Sequence, residues 1–311
     1  MTRPLKVGVQ LPEVERVVRW PELREMTLTA ERIGLDSIWV GDHLLYRDDG
    51  LPPRGPWEAW STLAAIGAIT ERVEIGPLVA ATSFHNPAML AKKAATVDEI
   101  SGGRLILGVG AGWNEAEYRA YGFPFDHRVS RFEEAFTVIR TLLATGRCDF
   151  HGTYYDLEDA ELLPRGPRPE GPPLMVGSMG ERMLGITLPH VSAWNAWFTW
   201  FGNSVEGYRE LHERIDQGCR TAGRDPQDVE RTVALFVGFP GAQGRQLGDL
   251  NRPDVEHLPG DAAQLAATLA DFAAAGVAHV QLVLDPITVD TIAALEPMLA
   301  VLDGRGAVRG G

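Results

Sequence analysis

Ser37-Ile38-Trp39-Val40, followed by Gly41-Asp42-His43, is a short strand-like run that ends in a turn residue and two side chains able to handle protons. Seven further runs of this kind flank it. Val7-Gly8-Val9-Gln10-Leu11 lies upstream. Downstream come Glu74-Ile75-Gly76-Pro77-Leu78-Val79, Leu105-Ile106-Leu107-Gly108-Val109 and Leu174-Met175-Val176-Gly177. Val191-Ser192-Ala193-Trp194-Asn195, Val233-Ala234-Leu235-Phe236-Val237 and His279-Val280-Gln281-Leu282-Val283 complete the set. Short continuous apolar runs separated by helix-length amphipathic stretches are the pattern of parallel strands buried on both faces. Eight of them in 311 residues predict a (β/α)8 TIM barrel, whose chemistry belongs at the carboxyl ends of the strands.

The stretches between the runs carry helix signals. Residues 21–33 end at Gly34, suited to a left-handed C-cap, and 57–70 follow. Residues 87–100 open on Asn86-Pro87 as N-cap and first-turn proline and close at Gly102-Gly103. Residues 130–143 place Phe132, Phe136, Ile139 and Leu143 at helical spacing. The period then breaks. Phe150-His151-Gly152-Thr153-Tyr154-Tyr155 reads as a small hairpin, and 164–173 hold five prolines and two glycines. This is an excursion inserted between the fourth helix and the fifth strand, because the alternation resumes at Leu174. A second irregular stretch, 238–260, is expected to be a loop over the barrel mouth. One domain over 1–303 and a disordered tail over 304–311 complete the expected organisation.

Composition excludes several classes of partner. Acidic residues number 42 against 29 basic ones, for a formal charge of −13. No basic surface is available to neutralise phosphates, so neither nucleic acid nor an anionic membrane is an expected partner. The acidity also suits a solubilising surface. The two cysteines, Cys148 and Cys219, fit neither a disulfide framework nor a CxxC metal site, which points to a reducing cytoplasm. A signal-peptide apolar core and an uninterrupted apolar span of about 18 residues are both missing from the sequence. The expectation is a soluble, cytoplasmic protein.

Among the motifs, Asp42-His43 closes the second run. A histidine at the carboxyl end of a barrel strand is well placed for proton transfer, since its ordinary pKa lies near neutrality; it would equally serve as a hydrogen-bonding rim residue. Asp42 either orients the ring or is structural, because neighbours along a strand point to opposite faces. Gly108-Val109-Gly110-Ala111-Gly112-Trp113 superficially suggests a dinucleotide fingerprint, but Trp113 stands at the third glycine position and no helix is expected directly after it. Two readings remain. The strand end is stripped so that something flat can approach the backbone, with Trp113-Asn114 adding an aromatic surface and an amide, or the glycines tolerate a tight barrel corner. Gly177-Ser178-Met179-Gly180-Glu181-Arg182 precedes a helix, where small residues leave N–H groups for a phosphate; a serine N-cap is the alternative. Metal-ligand spacings, a Walker loop and a GxSxG elbow do not occur, and no metal is expected.

Several of these stretches also carry a family likeness. Ile33-Gly34-Leu35-Asp36-Ser37-Ile38-Trp39-Val40-Gly41-Asp42-His43 resembles the second-strand motif of the bacterial luciferase-like flavin/F420 oxidoreductases. Gly102-Gly103-Arg104-Leu105-Ile106-Leu107-Gly108-Val109-Gly110-Ala111-Gly112-Trp113-Asn114-Glu115-Ala116-Glu117-Tyr118 is similar to the same family, as are Pro173-Leu174-Met175-Val176-Gly177-Ser178-Met179-Gly180-Glu181-Arg182 and the Trp194-Asn195 pair. The F420-dependent subgroup is the nearest in style. The resemblance implies a TIM barrel with an inserted segment that binds deazaflavin F420, or alternatively FMN, at the strand carboxyl ends. It implies His43 as the catalytic residue beside the reactive centre of the cofactor, a non-prolyl cis peptide at Leu78-Val79 supporting the ring, and a phosphate loop at Gly177 and Ser178, continued by Met179 and Gly180. With Asp42, Ala111, Gly112, Trp113 and Asn114, these residues make up the implied cofactor-binding set. Sugar-phosphate dehydrogenases of this family carry a carboxylate near the end of the fourth strand; Trp113 stands there in this chain, which counts against sugar-phosphate oxidation.

The expected activity is hydride transfer between F420 and a small organic substrate. The protein supplies positioning and electrostatics, and His43 handles the accompanying proton. The alternatives are an FMN-dependent monooxygenase using reduced flavin and O2, and a non-catalytic flavin- or F420-binding barrel. Trp194 and Trp197, with Phe198 and Trp200, are expected to give a substrate pocket aromatic walls, or else to pack on the barrel exterior or at a dimer interface. A homodimer is expected.

Overall fold

The computed structural model of the protein describes residues 3–244 and 255–304. In chain order its first elements are β1 (Lys6–Gln10), α1 (Trp20–Arg32), β2 (Ser37–Val40), α2 (Ala59–Ile69), β3 (Glu74–Pro77), β4 (Ala80–Ala81) and α3 (Pro87–Ile100). Next come β5 (Leu107–Gly110), α4 (Glu115–Tyr121), α5 (Arg128–Thr145), β6 (Arg147–His151), β7 (Asp156–Glu161), β8 (Leu174–Gly177), α6 (Glu181–Thr187) and β9 (Ala193–Ala196). The last are α7 (Val205–Thr221), β10 (Glu230–Gly238), β11 (Leu258–Pro259), α8 (Ala262–Ala274), β12 (His279–Asp285), α9 (Val289–Ala293) and α10 (Glu296–Leu302).

The large sheet runs β3-β2-β1-β12-β10-β9-β8-β5-β4 and its strand pairs are parallel. Its two ends belong to one stretch of chain. Only Leu78-Val79 separates β3 from β4; Leu105, two residues before β5, bridges Ile75 of β3, and β5 itself pairs with β4 through Ala80–Val109 and Ala81–Gly110. Counting β3 and β4 as one, eight strands among the described residues form a ring, with helices around it. This is the TIM barrel expected from the eight runs. All of β2 and β12 is buried, which is why these strands read as continuous runs and not as alternating ones.

Helix boundaries follow their signals. Gly34 takes the left-handed conformation (φ +93°) just past α1, and the Asn86 side chain accepts from the Ala88 and Met89 amides at the start of α3. The excursion between α5 and β8 is confirmed, although its hairpin is longer than Phe150–Tyr155 suggested: β6 and β7 pair antiparallel over 147–161. Arg168, in the proline-rich stretch, ties it back by donating to the fully buried Asp98 of α3 at 2.9 Å.

One expectation is corrected. A helix does follow the glycine-rich end of β5, since α4 starts two residues after Trp113. It has seven residues, too few to show an apolar period, and Glu115 and Glu117 in its first turn suit the positive end of the helix dipole. Of the loop expected over 238–260, the described parts include β11, which pairs with β10, and the Gln243 and Gly244 amides, which donate to Asp285. Residues 245–254 lie outside the described residues, as does all of the expected tail beyond Gly304. No described helix is long and apolar enough to cross a membrane.

Candidate active site

A cavity of 540 Å³ opens at the carboxyl ends of the barrel strands, within the range of about 300–1,000 Å³ typical of small-molecule sites. Its residues come from successive strand ends: Glu13 past β1, Asp42 and His43 past β2, Leu78 and Val79 between β3 and β4, Ala111 to Asn114 past β5, and Ser178 past β8. Trp197, Phe198 and Trp200 past β9 and Phe236 in β10 add an aromatic wall.

His43 is held at the polar end of this cavity. Its Nδ1 lies 2.8 Å from Glu117 Oε1, and Glu117 is completely buried. That carboxylate also accepts from Asn114 Nδ2 at 2.6 Å and from the Leu44 amide at 2.6 Å. A carboxylate surrounded by donors has only acceptor capacity to give, so His43 donates through Nδ1–H. Nε2 lies 3.7 Å from Glu13 Oε1. Glu13 is buried too; it accepts from Gln10 Nε2 at 2.8 Å and from the Tyr46 hydroxyl. Trp113 stands edge-on to the His43 ring, with centroids 5.6 Å apart. Gly41 makes room for this arrangement, since a Cβ there would stand 2.0 Å from Glu13 Oε2.

The glycines of the β5 end receive protein. A Cβ at Gly110 would stand 2.9 Å from Val79 Cγ2, one at Gly177 3.2 Å from it, and one at Gly108 2.3 Å from the Pro77 carbonyl. Gly112 has φ +74°, and a Cβ there would fall 1.9 Å from the Tyr118 hydroxyl, which donates to the Ala111 carbonyl at 2.8 Å. Burial pushes the Tyr118 phenol up to about 12, so it stays protonated as that donor. The close approach anticipated at this strand end is therefore made first by Val79 and Tyr118. The Leu78-Val79 peptide is cis, as the resemblance implied.

Most of the residues singled out from sequence meet in this cavity: Asp42, His43, Leu78, Val79, Ala111, Gly112, Trp113, Asn114, Gly177, Ser178, Met179 and Trp197 all line it. Two do not. Gly180 caps α6 and its amide donates to Ser178 Oγ at 3.3 Å, which also shows that Ser178 is not the N-cap. Trp194 is fully buried in the core, because it lies on the outward face of β9; its Nε1 donates to the Ser178 carbonyl at 2.7 Å. Glu13, Tyr46 and Glu117 were not foreseen. Glu13 stands just past the first run, where the strand-end rule would have found it. Glu117 lies inside a motif already noted, but no spacing rule pairs it with His43.

Fold and site together define a TIM-barrel enzyme that acts on a small molecule at the strand carboxyl ends. Residues 6–239 match the luciferase-like monooxygenase family, and the chain belongs to that family. It is 34% identical over 243 residues, 76% of this chain and 69% of the relative, to the F420-dependent glucose-6-phosphate dehydrogenase of Amycolatopsis mediterranei (strain U-32). Its fold is similar to that of an F420-dependent secondary alcohol dehydrogenase in complex with an F420–acetone adduct, at a TM-score of 0.80 and 21% identity, covering 96% of this chain and 99% of that one. A monooxygenase from Streptomyces bottropensis has a TM-score of 0.73 at 20% identity, covering 96% and 98%.

Proposed function

We propose that the protein is an F420-dependent oxidoreductase that moves a hydride between deazaflavin F420 and a small organic substrate. One observation carries this reading above the rest. A histidine with its tautomer set by a buried glutamate stands in a strand-end cavity, in a chain 34% identical to an F420-dependent dehydrogenase.

The residues present fit such a cofactor. Val79, packed on the bare backbone of Gly110 and Gly177, and its neighbour Leu78 offer a planar ring a surface of methyl groups and peptides. Asp42, Ala111, Gly112, Trp113 and Asn114 would border it. At the other end Trp194 fixes the Ser178–Met179 peptide through the Ser178 carbonyl, so the Met179 N–H and the Ser178 hydroxyl are what a phosphate would meet. When bound, F420 supplies the hydride acceptor or donor. The chain supplies the proton path: His43 Nε2 takes the proton of a substrate hydroxyl, or returns it in the reverse direction, while Glu117 holds Nδ1 protonated. Glu13, 3.7 Å away, faces the charge the ring then carries. The wall of Trp197, Phe198, Trp200 and Phe236 favours an apolar body, and the Glu13 and Glu117 carboxylates disfavour an anion near His43. The substrate class is thus an uncharged alcohol or carbonyl compound. We further read 1–303 as one domain of a cytoplasmic homodimer; the buried, unpaired Cys148 and Cys219 support a reducing compartment.

Separate titrations with F420 and FMN, followed by fluorescence, test the cofactor, and turnover on alcohol, carbonyl and sugar-phosphate panels tests the reaction. Tight F420 binding is expected. His43→Ala should keep that affinity and lose turnover by about 10²–10⁴-fold. Binding of FMN alone would overturn the reading in favour of a monooxygenase; F420 held without turnover of any substrate would leave a binding barrel; full activity of His43→Ala would remove the histidine from the chemistry.

A further inference from the structure

Asp42 is held from behind the cavity wall by a chain of side chains. Its Oδ2 accepts from the Ala81 amide at 2.9 Å and from His85 Nε2 at 2.9 Å. His85 Nδ1 in turn lies 3.4 Å from Lys93 Nζ, on α3. The Asp42 side chain is 2% exposed and that of His85 8%, and Trp60 stands at 89° to the His85 ring with centroids 6.3 Å apart. An ammonium has only donors and a carboxylate only acceptors, which fixes the direction of the chain. Lys93 donates to Nδ1, and the ring, with its proton on Nε2, donates to Asp42. Both bonds fall on Oδ2; among the described residues none falls on Oδ1, while Asp42 itself lines the cavity.

We propose that His85 and Lys93 are positioning residues for the ligand of this cavity, pinning Asp42 so that Oδ1 is a fixed, charged acceptor for an N–H or O–H donor on the cofactor. The inference rests on the cavity being the F420 site. Neither residue touches the cavity, and neither belongs to the His43–Glu117 pair, so the effect of altering them falls on binding. Asp42 is worth fixing because a hydrogen bond to a charged acceptor is stronger and more directional than one to a neutral group. A carboxylate free to rotate would lose that advantage.

F420 dissociation constants from fluorescence quenching, with the fold checked by circular dichroism, test this in wild type, His85→Leu, His85→Gln and Lys93→Met. His85→Leu is expected to weaken F420 binding about tenfold or more, the scale of one lost hydrogen bond to a charged group. His85→Gln, whose amide N–H can donate to Asp42, should recover most of that loss, and Lys93→Met should weaken binding about threefold. Wild-type affinity in His85→Leu, or equal weakness in His85→Gln and His85→Leu, overturns the inference, the second because a ring that only fills space is not replaced by a donor. If His85→Leu does not fold, Lys93→Met decides, and unchanged affinity there overturns it. A wild-type protein that does not bind F420 at all overturns the proposed function and this inference together.

Discussion

Glu117 is the residue on which the behaviour of His43 depends most directly. Replacing it by glutamine keeps the size and turns one acceptor oxygen into a donor, set against the Leu44 amide, Asn114 Nδ2 and His43 Nδ1. At least one buried donor then loses its partner, which costs about 1–3 kcal/mol. The Nδ1–H tautomer loses its support as well. Glu117→Gln is expected to lower the denaturant midpoint and to slow turnover about 10–100-fold at saturating F420; wild-type kcat would show that the pair is structural. His43 was legible in the sequence because it closes a strand run. Its partner was not: 74 residues separate them, and no local pattern records which helix turn will face which strand end. The same holds for Asp42, where the sequence left orientation and structure as open alternatives and the contacts with Ala81 and His85 resolve them.

At the level of elements, the seam between the β3–β4 junction and the β5 and β8 strands is closely packed, and at Gly108 it is packed against backbone. Gly108→Ala would drive a Cβ to 2.3 Å from the Pro77 carbonyl, which is backbone and cannot swing aside. A loss of about 1–3 kcal/mol or more is expected. Gly180→Ala is the control, with φ −68° and nothing within 4 Å of the added carbon; it should stay within about 0.5 kcal/mol. Urea unfolding of the two variants separates them, and equal midpoints would refute the packing account. The glycine run was visible in the sequence, but its reason was not, because the atoms that need the space, Val79 and Tyr118, come from other elements. The α4 helix escaped notice for a related reason: seven residues, held through Asn114, Glu117 and Tyr118, form a helix by tertiary contact more than by periodicity.

Across the whole molecule, the barrel interior holds hydrogen-bonded polar side chains below the cavity. Asn195 Nδ2 donates to Thr232 Oγ1 at 2.8 Å and Gln281 Oε1 at 2.7 Å. Deeper, Trp39 Nε1 donates to Ser37 Oγ at 2.7 Å, and Ser37 Oγ lies 2.7 Å from His279 Nε2. Burial, with a smaller push from Lys6, holds His279 down to about 3, so the folded protein keeps it neutral. The unfolded chain protonates the same histidine from about pH 6.5 downward. Stability from this group is complete above pH 6.5 and is lost as pH falls toward 3, by about 1.4 kcal/mol per pH unit within that window. Urea unfolding at pH 7.5 and pH 5 should show a steeper loss in wild type than in His279→Gln, which cannot titrate; equal slopes would remove His279 from the acid response.

What the sequence by itself determined is the ring. Eight buried runs with helices between them admit few arrangements, and the strand-end rule marked the face where His43, Leu78-Val79, Gly112-Trp113 and Ser178 lie. Those are consequences of local period and of burial on both faces, which each segment carries in its own residues. Only the tertiary structure decided that Glu13, His43 and Glu117 converge, that Trp194 turns into the core while Trp197 faces the cavity, and that His85 and Lys93 stand behind Asp42. Such contacts join residues from different strand ends, and it is the closure of the barrel, with its particular register, that brings them within hydrogen-bonding distance.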